Sequence, residues 1–357
     1  MPDDPRMVLV NRLFEASLGT GEVFSVYLGD RLGFYRSLKE HGASTAKELS
    51  DAASTDERDT REWLEQQAAA GILTVDDVSA PSDRRRFQLP EEHMEALADP
   101  DSPYSIAPMC RSFAAIGHAL PDLVEAFRSG EGIGWEAYGL DMVEAQGDFN
   151  RPWLRAQLGR EFLPSIPDVH DRLSAGGSVA DIACGVGWAA ISIAEAYPNV
   201  TADGFDIDEL SIDLAKKNAE AVGVSDRVNF STEDVSALLL EDLYDLAIVV
   251  EAIHDMSAPM GVLDSIRRML KPDAPLIVAD ERTEDSFAAP ANETERLFYV
   301  YSVLTCLPSA QVDTPTAGTG TVMRRSTLEK YAKDAGFASV EVLPIEHDFL
   351  RFYRLSQ

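Results

Sequence analysis

The 357-residue sequence predicts an α/β chain: a doubly wound sheet over residues 175–357, closed by an antiparallel hairpin and preceded by a mostly helical domain. Three observations carry that prediction. From residue 178 onward, short apolar runs alternate with stretches of helical periodicity, the rhythm of a parallel sheet covered by helices on both faces. The last two apolar runs, Ser339 to Pro344 and Phe349 to Leu355, are separated by only a short turn, which makes them antiparallel. Before residue 100 the helical pattern dominates, and a hydrophobic content of 45% is enough to bury more than one core.

Taken in order, residues 8–40 read as two helices, Val8 to Ser17 and Val23 to Lys39. Thr45-x-x-Glu48 and Ser54-x-x-Glu57 have the form of capping boxes, each starting a further helix. The second helix runs to about Gly71, with Leu64, Ala68 and Ile72 on one stripe. Gly71 to Val75 and Arg86 to Leu89 then read as two strands around an acidic turn. Three helices and a β-ribbon is the winged-helix order. A DNA-binding use of it is disfavoured by charge, because the helix that would enter the groove carries Asp56, Glu57, Asp59, Glu62 and Glu65 against Arg58 and Arg61.

Residues 101–174 show no strand pattern and many aromatics, so they are expected to be helices linking the two domains, with one face over the active site. Next comes Ser178-Val-Ala-Asp-Ile-Ala-Cys-Gly-Val-Gly-Trp-Ala-Ala190, a strand that enters a glycine turn and continues into a helix. Helix N-termini present free N–H groups, and glycines let a ligand approach the backbone closely. Gly185-x-Gly187-x-x-Ala190 also fits a dinucleotide fingerprint, so the glycines alone do not choose a cofactor. Asp181 does, since a carboxylate beside the turn suits an ammonium and repels a pyrophosphate.

With its acids in place, this stretch resembles the first motif of class I S-adenosylmethionine-dependent methyltransferases, with Ala183 where the commoner version has glycine. The resemblance covers about residues 175–357 and implies a Rossmann-like methyltransferase sheet. It places the cofactor against Asp181, Ala183, Gly185 and Gly187, against Asp206 and Ile207 after the second strand (the ribose hydroxyls), against Asp234 and Val235 after the third (adenine), and against Glu251 after the fourth. His254, in the run His254-Asp255-Met256-Ser257, lies where similar O-methyltransferases carry a general base, and Asp280 or Glu281 would orient it. Related enzymes also have an idle histidine in this loop, so base and bystander both stay open. Asp280-Glu281 lacks the Asp-Asn pair of metal-dependent relatives, so no metal is expected. The resemblance further implies a lid insertion over residues 283–325, a last helix capped by Ser326-x-x-Glu329, and an N-terminal domain, residues 1–100, similar to the dimerisation domain of small-molecule O-methyltransferases. His347, in the hairpin turn, is expected at the surface.

Methyl transfer from S-adenosylmethionine to an oxygen, less favourably a nitrogen, of a small, partly apolar acceptor is therefore the expected function, with S-adenosylhomocysteine as product. A nicotinamide-dependent oxidoreductase and a cofactor-sensing winged-helix regulator are the alternatives. The 61 Asp+Glu against 31 Lys+Arg give a net charge of −30, which makes nucleic acid an unlikely partner and resembles the acidic surfaces of salt-accumulating organisms. Three dispersed cysteines form no disulfide framework or zinc site, and no apolar run spans a bilayer, so a cytoplasmic protein is expected, and the resemblance of the N-terminal domain implies a homodimer.

Overall fold

The structure, a computed structural model, describes residues 4–357. It begins with one long helix, α1 (Pro5–Arg31), where the sequence pattern suggested two. Gly19 and Gly21 stay helical although each costs about 1 kcal/mol relative to alanine. The break falls instead at Gly33, which adopts a left-handed φ of 71° before α2 (Phe34–His41). Thr45 and Glu48 form the expected capping box of α3 (Ala46–Ala53). The second expected box does not form: Ser54, in a left-handed conformation, ends α3, and Asp56 caps α4 (Glu57–Ala69) by accepting from the N–H groups of Arg58 and Asp59. A carboxylate two residues nearer the helix outcompetes the serine hydroxyl.

β1 (Thr74–Val75) and β2 (Phe87–Gln88) pair antiparallel, and Ser44 bridges to Phe87. α5 (Glu91–Leu97) follows. Phe34, Tyr35, Leu38, Leu49, Trp63, Leu64, Phe87 and Leu89 form the core of this domain. On α4, Arg61 pairs with Glu57 and Arg58 with Glu62, so its two cations are already neutralised.

The chain divides into two compact units between Ala115 and Ile116, inside α6 (Ala107–Ser129). Residues 116–174 therefore group with the sheet and do not stand apart as a linker. In the second unit, α7 (Gly139–Trp153) runs on through a π-helical stretch, Leu154–Phe162, to α8 (Pro167–Ser174). The expected alternation then appears: β3 (Ser178–Ile182), α9 (Trp188–Ala196), β4 (Thr201–Asp206), α10 (Glu209–Val222), β5 (Val228–Thr232), β6 (Leu246–Val250), α11 (Pro259–Met269) and β7 (Leu276–Glu281). Asp208 caps α10 by accepting from the Ser211 N–H. After α12 (Glu293–Tyr301), α13 (Leu307–Ala310) and α14 (Arg325–Asp334) come β8 (Ser339–Val342) and β9 (Leu350–Ser356).

The seven strands lie in the order β5-β4-β3-β6-β7-β9-β8, with β9 antiparallel to both neighbours. Because parallel strands are covered on both sides, their side chains divide between two cores. Ile191, Ile193, Ile212 and Leu173 lie in the core that contains Leu246 and Ile248, while Leu263, Ile266 and Leu328 lie in the one that contains Ala247 and Val249.

Residues 283–325, from after β7 to the start of α14, carry α12 and α13. Buried Glu295 accepts from the Glu284 N–H at 3.0 Å and pairs with Arg324, which ties the insertion's two ends together. That anchor also explains why Ser326 does not cap α14: the helix starts at Arg325 with no side-chain cap, and Glu329 pairs with Arg325 instead.

Candidate active site

Strands β3, β4, β6 and β7 are parallel, so the loops after their carboxyl ends gather on one edge of the sheet. That edge holds the glycine turn, Asp206, the 251–257 loop and the Asp280-Glu281 pair. In open α/β sheets it is where ligands bind.

The turn is built from left-handed residues: Ala183 at φ 53°, Gly185 at 52° and Gly187 at 84°. A side chain at Gly187 would collide with Phe230, 2.5 Å from its ring, whereas a β-carbon on Gly185 would project into open space. Gly185 thus borders a cradle and Gly187 lets the turn close onto the sheet. Ala183 tolerates its conformation at a cost of roughly 1 kcal/mol. Asp206 is fixed by two backbone donors, Gly185 N–H to Oδ2 at 2.8 Å and Asp208 N–H to Oδ1 at 2.9 Å. Burial pushes its carboxyl above the usual range. Beside it Ile207 is 77% exposed, an apolar surface without a cover.

Three expected contacts look different in the structure. Asp181 is 1% exposed, and its Oδ2 accepts from the Ala190 N–H at 2.9 Å. It caps the N-terminus of α9 from inside the core and does not line the surface, and burial pushes its carboxyl up to about 7. Val235 is buried in the core beside α11. Asp234 is exposed, and its side chain accepts from the Ser236 N–H, capping the short turn that follows. His347 is half-buried and not a surface residue: its ring meets Trp153, Phe162 and Phe352, and Nδ1 accepts from the Phe349 and Leu350 N–H groups, which shapes the hairpin turn.

Glu251 takes a left-handed φ of 50°, unusual for a residue with a side chain. Its Oε2 accepts from Asn150 Nδ2 and, at 3.1 Å, from Gln146 Nε2. Neither amide was singled out in the sequence. Their spacing of four on one helix was the available signal, since it puts both on the same face.

His254 is 1% exposed. Its Nδ1 lies 2.9 Å from Asp280 Oδ1 and 3.0 Å from Glu281 Oε2, and its Nε2 lies 3.2 Å from Asp255 Oδ1. Burial alone would lower its pKa, but Glu281, Asp255 and Asp280 outweigh it and hold the imidazole well above its ordinary value. Burial would likewise raise Asp280, yet the imidazolium holds it below the usual range, whereas burial keeps Glu281 well above it. Cys306, from the insertion, is pushed up to about 12 by burial and stays a thiol. The donor atoms of His254, Asp280 and Glu281 all lie within 4.8 Å of one another. Two backbone bonds, Gly320 N–H to His254 O at 3.0 Å and Ala317 N–H to Ser257 O at 2.8 Å, lay the insertion on this loop.

Fold and edge together define a doubly wound α/β domain, and its relatives give it a family. Residues 173–324 match the family described as methyltransferase domain, and residues 22–99 match the Rv2258c-like winged HTH domain. The chain thus carries a methyltransferase domain behind a winged helix-turn-helix domain. It is similar to an O-methyltransferase of Pyrenophora dematioidea, 32% identical over 33% of this chain and 45% of the relative. It is also similar to the 27-O-demethylrifamycin SV methyltransferase of Amycolatopsis mediterranei, 32% identical over 35% of this chain and 46% of the relative. The chain spans less than half the length of these curated relatives. Among solved structures, human N-acetylserotonin methyltransferase with SAM superposes at a TM-score of 0.69, 17% identity, covering 99% of this chain and 98% of that one. Mitomycin 7-O-methyltransferase MmcR superposes at 0.67, 19% identity, covering 99% and 98%. At these identities the likeness is one of fold. Among the described residues no helix is long and apolar enough to cross a membrane.

Proposed function

We propose that the protein transfers the methyl group of S-adenosylmethionine to an oxygen of a small molecule. The observation that carries this reading is the cradle: Asp206, pinned by the Gly185 and Asp208 N–H groups, beside open space over Gly185 and next to exposed Ile207. A ribose diol suits the free lone pairs of that carboxylate and an adenine suits the isoleucine. A pyrophosphate would meet Asp206 and Glu251, and among the described residues neither has a Lys or Arg ion-pair partner to offset the repulsion. When bound, the cofactor supplies an electrophilic methyl on a sulfonium. The chain's own work is to hold the acceptor in line, exclude water and take a hydroxyl proton. His254 is the proposed base, acting through Nε2, with Asp280 fixing its Nδ1–H tautomer and the 283–325 insertion as the lid.

Calorimetry tests the reading. S-adenosylhomocysteine should bind and NADH should not; tight NADH binding with silence toward S-adenosylhomocysteine would sink it.

We also propose a homodimer built on the N-terminal domain. On α1 the side chains of Leu9, Val10, Leu13 and Phe14, which share one side of the helix, are each at least 50% exposed, an apolar face of the kind that marks an interface. Light scattering should give twice the monomer mass, and the double change Leu9→Glu and Phe14→Glu should halve it. A wild-type monomer at micromolar concentration would reject the dimer.

A further inference from the structure

Asp181 is buried and its Oδ2 is engaged by the Ala190 N–H, so a second acid beside the turn bears on how the ammonium of a cofactor in this cradle is held. That acid is Glu251. By the pairing of Ile182 with Val249, the residue two places beyond each strand's partner is Glu251 on one side and Cys184 on the other, so Glu251 sits alongside the glycine turn. Both amide donors converge on its Oε2, and among the described residues no hydrogen bond reaches its Oε1. It has no ion pair with a Lys or Arg of those residues, and burial pushes its carboxyl above the usual range.

The amides are themselves held. Asn150 is buried, and Trp153 Nε1–H donates to its Oδ1 at 2.8 Å, which leaves Nδ2 as the end that meets Glu251. A side-chain amide so fixed cannot turn its oxygen toward the carboxylate. The chain Trp153 to Asn150 to Glu251 therefore aims one carboxylate oxygen, and Glu251's strained backbone is the kind of cost that persists where the surroundings over-determine a conformation.

We infer that Gln146 and Asn150, on α7, hold Glu251 as the counter-charge for the α-ammonium of the bound cofactor. Glu251 contacts the ligand, and the two amides are positioning residues that act through it. The inference rests on the proposed S-adenosylmethionine site and assigns it a part that the glycine motif does not contain. A carboxylate with one oxygen occupied by neutral donors keeps its full charge for the cation facing the other, and in a half-closed site such a charged contact is stronger than a neutral one.

The test compares binding of S-adenosylhomocysteine with binding of its deaminated analogue, which keeps the carboxylate and thioether. Wild-type protein should prefer the amine by about 10- to 100-fold, as for one charged hydrogen bond. Glu251→Gln should erase that preference by weakening only the amine-bearing ligand. Asn150→Leu should reduce the preference in the same direction, a ratio that general loosening of the site would not change. An unaltered preference in Glu251→Gln, or equal weakening of both ligands, overturns the inference while leaving the cofactor reading intact. Failure of wild-type protein to bind either ligand overturns both. Should Glu251→Gln not fold, the Asn150→Leu ratio decides alone.

Discussion

His254→Ala should lower turnover by about 10²–10⁴-fold on any hydroxyl acceptor that the wild type methylates, the range for loss of a general base. S-adenosylhomocysteine affinity should fall far less than turnover, because the carboxylates that meet the His254 ring are Asp255, Asp280 and Glu281 and not Asp206. The pH profile adds a sharper expectation. A base must be unprotonated to act, and the groups facing this ring are Asp280 and Glu281 on β7, Asp255 and Glu251 on its own loop, and the Cys306 thiol from the insertion. Their net effect raises its pKa well above 6.5, so kcat/KM should climb with pH through an ionisation above that value. The climb should vanish in the variant. The same shift stabilises the fold: the contribution is full below the unfolded pKa and is lost as pH rises through the folded one. A mutant with wild-type turnover would make His254 a structural residue.

Asp206→Ala should weaken S-adenosylhomocysteine by about 1.5–3 kcal/mol, or roughly 10- to 100-fold, as expected for charged hydrogen bonds lost to a ligand diol. Part of that loss would come from the turn, since the Gly185 and Asp208 N–H groups would lose their acceptor. Asp206→Asn separates the two effects, because an amide oxygen can still accept one of those bonds. Titration calorimetry on both variants, alongside their melting temperatures, checks this. Unchanged affinity in Asp206→Ala would remove the residue from the site.

Much of the sheet was legible because its signals are local. Apolar runs that lead to Asp206 and to Asp280-Glu281 depend on side-chain burial, which periodicity reports directly. The edge of the sheet that gathers the site followed from parallel topology. What could not be read were choices between neighbouring candidates. Ser54 and Asp56 both precede α4, and the one that caps depends on where α3 unwinds. Asp181 and Glu251 are both acids at strand ends, but only three-dimensional packing turns the first onto Ala190 and leaves the second beside the turn. The loop that carries His254 was legible, but the proton affinity of the ring was not, since that is set by Asp255 on its own loop and by Asp280 and Glu281 at the end of β7. Gln146 and Asn150 looked like ordinary polar positions on a helix face.

β9 lies between β7 and β8, so Asp280 and Glu281 pair with Arg351 and Leu350 through the last strand in the chain. Until that strand arrives, β7 has an open edge whose six residues are all destined for burial. Such an edge is a template for pairing with another chain. The acids that hold His254 and the border of the sheet are thus both completed by one long-range pairing, the kind of contact that slows folding. Covering that edge and fixing the acids beside His254 depend on the same pairing.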